Sequence, residues 1–316
     1  MTLKNALLSA AVLLSTMAYA TNDPATDQPY YNPEPPSNFP YDMAYPYAYF
    51  ELDDVVKKIS GLSPTNDPKV VAGIQEEEGK IYMIDKKSGK IASSTFFVTE
   101  GEFQGIEMVG DDAYALKSNG QLYKISNLKG AQRTVKMLRT NLPRTANLQG
   151  LAYDIANNRL LICAKGQKEG EFSRQIYAFD VKTAQTNPEP VYEISLASFK
   201  EFLSTKKEKQ YLGLRSDYVE KASTKGFDFA PTSVAINPMT GNLHVLSALN
   251  NTLVTMNPQG EIIEMTKLKK EHHLMPEGIA FDEEGTMFIA NSSVNGAPAK
   301  LYEYKMQKTA ITASRK

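Results

Sequence analysis

PEGIAFDEEGTMFIAN, residues 276–291, is the clearest copy of a pattern that recurs along this chain. The pattern opens with a polar residue and a small residue, here Glu277 and Gly278, and continues into a short apolar strand. A turn rich in Asp and Gly follows, because these residues accept the backbone angles of tight turns, and a second apolar strand ends the stretch. The pattern therefore predicts paired antiparallel β-strands.

Four earlier segments repeat this order of features. The small residues that mark the five copies are Gly61, Gly105, Gly150, Ser233 and Gly278. Successive markers lie 44, 45, 83 and 45 residues apart, and a propeller blade takes roughly 40–50 residues. Because further β-rich strands complete a four-stranded unit, the sequence predicts an all-β fold, a five-bladed β-propeller over residues 49–306.

The step of 83 residues leaves two interpretations open. Residues 193–229 contain no marker and no alternating strand pair. Instead, apolar residues recur at helical spacing at Leu196, Phe199, Phe202 and Leu203. We therefore expect a helical insertion of about residues 193–229 after blade three, and the alternative is a sixth blade.

The chain termini differ from the repeats in composition. Residues 1–20 have a basic residue, an apolar core and the small-x-small end Ala18-Tyr19-Ala20, as in a secretory signal peptide. Residues 21–48 are rich in Pro and Tyr and predict an extended linker, and residues 307–316 form a tail. We expect an exported protein of the periplasm or cell envelope, without a transmembrane segment in the mature chain.

Composition narrows the classes of partner and chemistry. The 35 basic and 36 acidic residues nearly cancel, so no excess of positive charge favours nucleic acid. The single cysteine, Cys163, lies in an apolar strand and cannot form an intrachain disulfide. His244 alternates with apolar residues in a strand, whereas His272 and His273 are predicted in a solvated, charged loop.

Several motifs in fixed order resemble those of one bacterial family. ISGLS at 59–63, FQGI at 103–106, LQGLAYD at 148–154 and PEGIAFDEEGTMFIAN closely resemble the SdiA-regulated proteins, exported or envelope-associated propellers distantly similar to NHL-repeat proteins. The resemblance covers roughly residues 49–305. It implies a five-bladed propeller, a calcium ion in at least some members and no established biochemical activity.

The resemblance also directs attention to the blade openings, where the family usually has Glu-Gly. Here Glu277 keeps the carboxylate, whereas Gln104 and Gln149 stand where Glu is expected. Ca²⁺ prefers six to eight oxygen ligands that include carboxylates. Because equivalent blade positions converge at one end of the channel, Glu277, Gln104, Gln149 and the acidic pair Glu76 and Glu77 are the candidate ligands of a weak calcium site. The alternative is that the amides cap strands and bond neighbouring blades.

The remaining candidate residues concern a ligand or partner surface. They are Lys117, Lys165, Arg174 and Asn291. The chain contains no G-x-S-x-G, P-loop or H-E-x-x-H motif. The sequence thus favours a non-catalytic binding or scaffold module that recognises an unidentified envelope protein or small ligand. The alternative is a calcium-dependent hydrolase of the lactonase or arylesterase kind.

Overall fold

Five antiparallel β-sheets form the blades of a propeller in the computed structural model, which describes residues 39–128, 130, 132–166, 172–221 and 226–307. The predicted signal peptide, residues 21–38 of the predicted linker and residues 308–316 of the tail lie outside these described residues. The prediction of a five-bladed propeller is confirmed, and the alternative of six blades is excluded.

The strands follow one another from blade to blade, except that the first strand, β1 (Ala48–Glu51), belongs to the last blade. Blade one contains β2 (Ile59–Pro64), β3 (Val70–Gln75), β4 (Gly79–Asp85) and β5 (Ile91–Val98). Blade two contains β6 (Phe103–Val109), β7 (Asp112–Lys117), β8 (Gln121–Ser126) and β9 (Thr134–Arg139). Blade three contains β10 (Leu148–Asp154), β11 (Arg159–Ala164), β12 (Ser173–Asp180), β13 (Gln185–Thr186) and β14 (Tyr192–Ser195).

Blade four contains β15 (Pro231–Ile236), β16 (Leu243–Ser247), β17 (Thr252–Met256) and β18 (Ile262–Lys267). Blade five contains β19 (Pro276–Phe281), β20 (Met287–Asn291) and β21 (Lys300–Tyr304), and β1 pairs with β21 as its outermost strand. The N-terminal strand therefore closes the ring. In blade three, the outermost position is shared by β13 and β14, which both pair with β12.

The first strands of consecutive blades touch one another around the central axis, and this contact explains the small marker residues. A Cβ on Gly61 would lie 3.1 Å from the Cα of Gly105, and a Cβ on Gly105 would lie 3.0 Å from the carbonyl carbon of Gly150. Gly150 in turn faces the backbone of Ser233 and has φ +50, which favours glycine. The recurring small residue is thus required by the approach of one backbone to the next.

The hydrophobic core is divided among the wedges between blades. Five clusters of buried apolar side chains are found within the described residues, and each joins one blade to the next. Cys163 belongs to the cluster between blades three and four, as its apolar strand predicts. This arrangement follows from strands that are buried on both faces, since each sheet packs against two neighbours.

Residues 39–48 are packed on the propeller, although they fall within the predicted linker. Phe39 and Tyr41 are each 2% exposed and join the cluster between blades four and five with Met43. The Tyr41 hydroxyl donates to the carbonyl oxygen of Gly285 at 2.6 Å and accepts from the side-chain amide of Asn237 at 2.6 Å. This segment leads into β1, so packing here positions the strand that closes the ring.

The insertion after blade three contains two short helices, α1 (Leu196–Ser204) and α2 (Leu212–Arg215), the second continued by a π-helical turn (Ser216–Glu220). Ser195 caps α1: its hydroxyl accepts from the Ser198 N–H at 3.0 Å, and the Ser198 hydroxyl accepts from the Ser195 N–H at 3.0 Å. Leu196, Phe199 and Leu203 enter the cluster between blades three and four, which confirms the helical spacing. Phe202 is partly buried against the same cluster.

We expect the substitution Gly105→Ala to lower the free energy of unfolding by about 1–3 kcal/mol, because the new methyl group forces two backbones apart. Gly213→Ala in α2 is the matched control: its Cβ would meet only the side chain of Lys267 at 3.7 Å, and alanine favours a helix by about 0.5–1 kcal/mol. Urea denaturation of both variants measures the difference. Equal stabilities would contradict the packing explanation.

Candidate functional site

The first strands of all five blades carry a β-bulge near their beginning, at one end of the central channel. The bulged residues are Ser60, Gln104, Gly150, Thr232 and Glu277. A bulge redirects a side chain out of the regular strand alternation. We call this end of the channel, with the bulged residues and the side chains beside them, the channel mouth.

Two of the bulged side chains bond the blades together. The Ser60 hydroxyl donates to the carbonyl oxygen of Phe103 in the next blade at 2.8 Å, and the Thr232 hydroxyl does the same to Pro276 at 2.9 Å. Between blades five and one, the Ser292 hydroxyl donates to the carbonyl oxygen of Ile59 at 2.6 Å. These hydroxyls hold neighbouring first strands in register, so Ser60 and Thr232 have a structural part in the channel mouth.

The two glutamines that were candidate calcium ligands use their amides in local hydrogen bonds. Gln104 Nε2 donates to Glu76 Oε1 at 3.3 Å, and Gln149 Nε2 donates to Asn147 Oδ1 at 3.0 Å. The Gln104 bond joins blade two to the loop after β3 of blade one. Glu77 is exposed and forms an ion pair with Lys58 at 2.9 Å.

Glu277 has a different environment from the other bulged residues. It is half-buried, and its carboxylate has no hydrogen-bond or ion-pair partner among the residues that the structure describes. Burial raises the pKa of Glu277 from 4.5 to about 7, with Lys165 lowering it and Glu76 raising it. The channel mouth thus contains a carboxyl group that changes charge near neutral pH, with Lys165 and Glu76 as its charged neighbours.

The donors around Glu277 do not fit a tightly held Ca²⁺. Nowhere among the described residues do three or more His, Cys, Asp or Glu side chains come close enough together to hold a metal ion. Calcium sites in proteins take six to eight oxygens, with carboxylates among them. Here the Gln104 amide is bonded to Glu76, and Glu277 is the single carboxylate among the five bulged residues. The chemistry of this donor set therefore favours hydrogen bonding over a resident metal.

The four candidate residues of a ligand or partner surface occupy different environments. Lys117 is 6% exposed, and its ammonium group pairs with Glu100 at 3.2 Å. Arg174 is also buried and donates to the carbonyl oxygens of Phe229 at 2.8 Å and Phe227 at 2.7 Å, which anchors the end of the insertion. Lys165 is half-buried, and it is the one of the four whose charge acts on the pKa of Glu277.

Asn291, the fourth of these residues, is buried together with a histidine. Its Nδ2 donates to Nδ1 of His273 at 3.1 Å, and the other ring nitrogen of His273 bonds to the Tyr304 hydroxyl at 2.8 Å. Burial lowers the pKa of His273 to about 3, so the ring is neutral. The prediction of a solvated loop is therefore wrong for His273, while His272 is half-buried. His244 is likewise buried and neutral, with a pKa lowered to about 3.

Glu107 is a buried carboxyl group in the channel wall that the sequence analysis did not identify. It lies two residues after the marker Gly105, at a position occupied by Ser63, Ala152, Ala235 and Ala280 in the other blades. It is 7% exposed, and the backbone N–H of Tyr153 and the side chain of Ser63 offset part of the effect of burial on its pKa. An alignment of the five sequence copies identifies Glu107, because the other four copies have a small residue at this position.

The chain matches one protein family over most of its length. The family model described as SdiA-regulated matches residues 43–304. No curated protein matches the chain at a significant level.

Solved structures with a similar backbone share little sequence with this chain. The crystal structure of Myxococcus xanthus glutaminyl cyclase has 11% identity and a TM-score of 0.55, and the match covers 83% of this chain and 96% of that chain. Kuenenia stuttgartiensis hydrazine synthase has 10% identity and a TM-score of 0.45, over 77% of this chain and 82% of that chain. At such identities, the similarity to the cyclase shows the fold alone.

We expect calcium to stabilise the protein very little. We expect a dissociation constant for calcium weaker than about 1 mM. In 1 mM calcium chloride, such binding stabilises the folded protein by at most about 0.4 kcal/mol. Thermal unfolding in 1 mM calcium chloride and in EDTA should therefore give closely similar melting temperatures. A rise of several degrees that is lost in Glu277→Gln would show that the channel mouth does hold calcium.

Glu107 should make the stability of the protein depend on pH. Burial raises its pKa from 4.5 to about 8, so the folded protein binds one more proton than the unfolded chain between these values. Stability from this group is complete below about pH 4.5 and falls by about 1.4 kcal/mol per pH unit up to about pH 8.

The substitution Glu107→Gln replaces the titrating carboxyl group with an amide. The variant should therefore lose less stability than the wild type between pH 5 and pH 8. Urea denaturation at both pH values measures the difference. Parallel losses in the two proteins would mean that Glu107 is ionised in the folded state.

Proposed function

Because the chain belongs to the SdiA-regulated family, with the five-bladed propeller fold, we propose that it is a non-catalytic binding module whose ligand site is the channel mouth. The mouth is where polar side chains from different blades converge. The residues two positions after each marker are at most 8% exposed, so they are not available to a ligand. A ligand therefore meets the protein at the mouth.

The observation that carries this proposal is the carboxylate of Glu277, which has no hydrogen-bond partner among the described residues although it is half-buried. Burying a carboxylate without such a partner is unfavourable, and here the result is a raised pKa. A ligand that brings an N–H donor would supply the missing partner. Gln104 and Gln149 lie at the openings of blades two and three and offer further polar groups.

The charge of the mouth favours a ligand with an amino group. Glu277 and Glu76 are acidic, Lys165 is the basic group beside them, and the neighbouring Lys58 and Lys117 are already paired with Glu77 and Glu100. An ammonium group would form a charge-assisted hydrogen bond with ionised Glu277. We therefore propose a primary amine as the recognised group, presented either by a small molecule or by a protein.

Export to the periplasm or cell envelope is part of the same proposal. It is supported by the charged, apolar and small-residue pattern of residues 1–20. In the portion of the chain that the structure describes, no helix has the length and apolar character needed to cross a bilayer. The scaffold role in the envelope rests on the propeller fold, which presents short loops around one channel end.

The alternative of a calcium-dependent hydrolase receives less support from the geometry. Such a mechanism uses a metal ion to polarise a carbonyl group, and the donors around Glu277 do not form an oxygen cage. His244 and His273 are buried, with a pKa near 3, and the charged groups that shift the pKa of Glu277 are Lys165 and Glu76. A weak calcium interaction remains compatible with the binding module.

Thermal unfolding in the presence of 10 mM putrescine, ethanolamine or glucose tests the proposal. We expect the two amines to raise the melting temperature and glucose to leave it unchanged. Because the pKa of Glu277 is about 7 and ionised Glu277 binds the ammonium group, the rise should be larger at pH 8 than at pH 6. Glu277→Gln should abolish both the rise and its dependence on pH.

Glu189→Gln is the matched control, since Glu189 is exposed on blade three. An equal effect of amines on the wild type and Glu277→Gln would contradict the assignment of the site. Hydrolysis of p-nitrophenyl acetate or of a lactone by the wild type, lost in Glu277→Gln, would show that the mouth is catalytic instead.

A further inference from the structure

A second concave site lies on blade four, beside the helical insertion and apart from the residues of the channel mouth. Its volume is ≈ 690 Å³, and small-molecule sites range over about 300–1,000 Å³. The walls come from the π-helical turn after α2, the loop between β16 and β17, and the loop after β18. We call this site the blade-four cleft; the lining residues that carry the argument are Asp217, Lys221, Leu249, Lys267, Lys270 and Leu274.

Among the described residues, the blade-four cleft carries positive charge that no ion pair neutralises. Lys267 is the basic group that is neutralised, because its ammonium pairs with Asp217 and donates to the carbonyl oxygen of Asn250 at 2.6 Å. Lys221 and Lys270 are exposed, and neither side chain has an ion-pair or hydrogen-bond partner in the described part of the chain. Two ammonium groups are therefore available to a ligand of opposite charge.

Two solvent-exposed apolar side chains line the same cleft. Leu249 is 47% exposed and Leu274 is 52% exposed, and both line the cavity. Covering apolar surface of this kind is favourable by about 25 cal/mol for each Å² removed from water. The cleft thus combines a cationic part with an apolar part.

The floor of the cleft is held in one shape. Asn250 and Asn251 both have positive φ, at 60° and 43°, and consecutive residues in this conformation are costly unless the surroundings fix them. Asn250 Nδ2 donates to the carbonyl oxygen of Asp228 at 3.1 Å, and the Asn251 side chain bonds to the carbonyl oxygen of His273. A preformed floor lowers the ordering cost of binding.

We propose that the blade-four cleft binds an amphiphilic anion, an aliphatic chain with a carboxylate at its end. Lys221 and Lys270 hold the carboxylate, and Leu249 and Leu274 cover the chain. The insertion supplies one wall, so this site gives it a role in ligand recognition in addition to its packing between blades three and four.

Isothermal titration calorimetry with three ligands of equal chain length tests the charge requirement. The ligands are octanoate, 1-octanol and octyltrimethylammonium. We expect octanoate to bind at least 10-fold more tightly than the cation, with the alcohol between them. Equal affinity for all three, or tighter binding of the cation, would overturn the proposal.

Variants of surface lysines locate the site without disturbing the core. The double substitution Lys221→Glu, Lys270→Glu should weaken the binding of octanoate at least 10-fold. The control is the double substitution Lys136→Glu, Lys182→Glu, which reverses the charge of two exposed lysines on blades two and three and should leave the affinity unchanged. Leu274→Ser should weaken the binding of octanoate. It should also reduce the difference in affinity between butanoate and octanoate.

Melting temperatures of all variants confirm that they are folded. Octanoate binding that survives the double substitution but is lost in Glu277→Gln would assign the ligand to the channel mouth and refute a site on blade four. An equal loss of octanoate binding in the two double-lysine variants would show a general effect of net charge. That result would also refute a site on blade four.

Discussion

The close approach of five first strands around one axis is the constraint on which the rest of the structure depends. Where Gly105 faces Gly150, a single added Cβ would lie 3.0 Å from the neighbouring backbone. Side chains larger than serine at the marker positions would push the blades apart. With the inner strands in contact, each sheet must diverge outward from its neighbours, and the apolar faces of the sheets fill the wedges between them. The blade interfaces are therefore where the burial of apolar surface stabilises the fold.

The same crowding buries the residues two positions after the markers, which are at most 8% exposed. Four of these five positions hold a small residue, and the fifth holds Glu107. At the mouth, a β-bulge interrupts the regular pairing of each first strand. Some of these side chains, as with Ser60, bond one blade to the next, whereas Glu277 remains without a hydrogen-bond partner among the described residues. The proposed ligand site follows from this division of roles.

Two segments outside the repeat complete the ring and add surface to it. Residues 39–48 lead into β1, which fills the outer position of blade five and links the beginning of the propeller to its end. The insertion after blade three packs Phe199 against Tyr218, Phe227 and Phe229, with ring centroids 4.8–5.2 Å apart. Because its far side borders the blade-four cleft, the insertion changes the outer surface of the propeller without changing the ring.

The sequence by itself predicted a five-bladed propeller and the first helix of the insertion, because spacing and periodicity are local properties of the chain, but it left a sixth blade open. It also indicated Glu277 as a candidate at the channel end, since blade openings converge in any propeller, whereas Lys165 was predicted only as part of a ligand or partner surface. Only the tertiary structure decided that β1 pairs with β21, a contact between opposite ends of the propeller sequence. The burial of Arg174 and His273 and the raised pKa of Glu277 were decided there as well. Burial and charge depend on neighbours that are distant in sequence, and no local pattern encodes them.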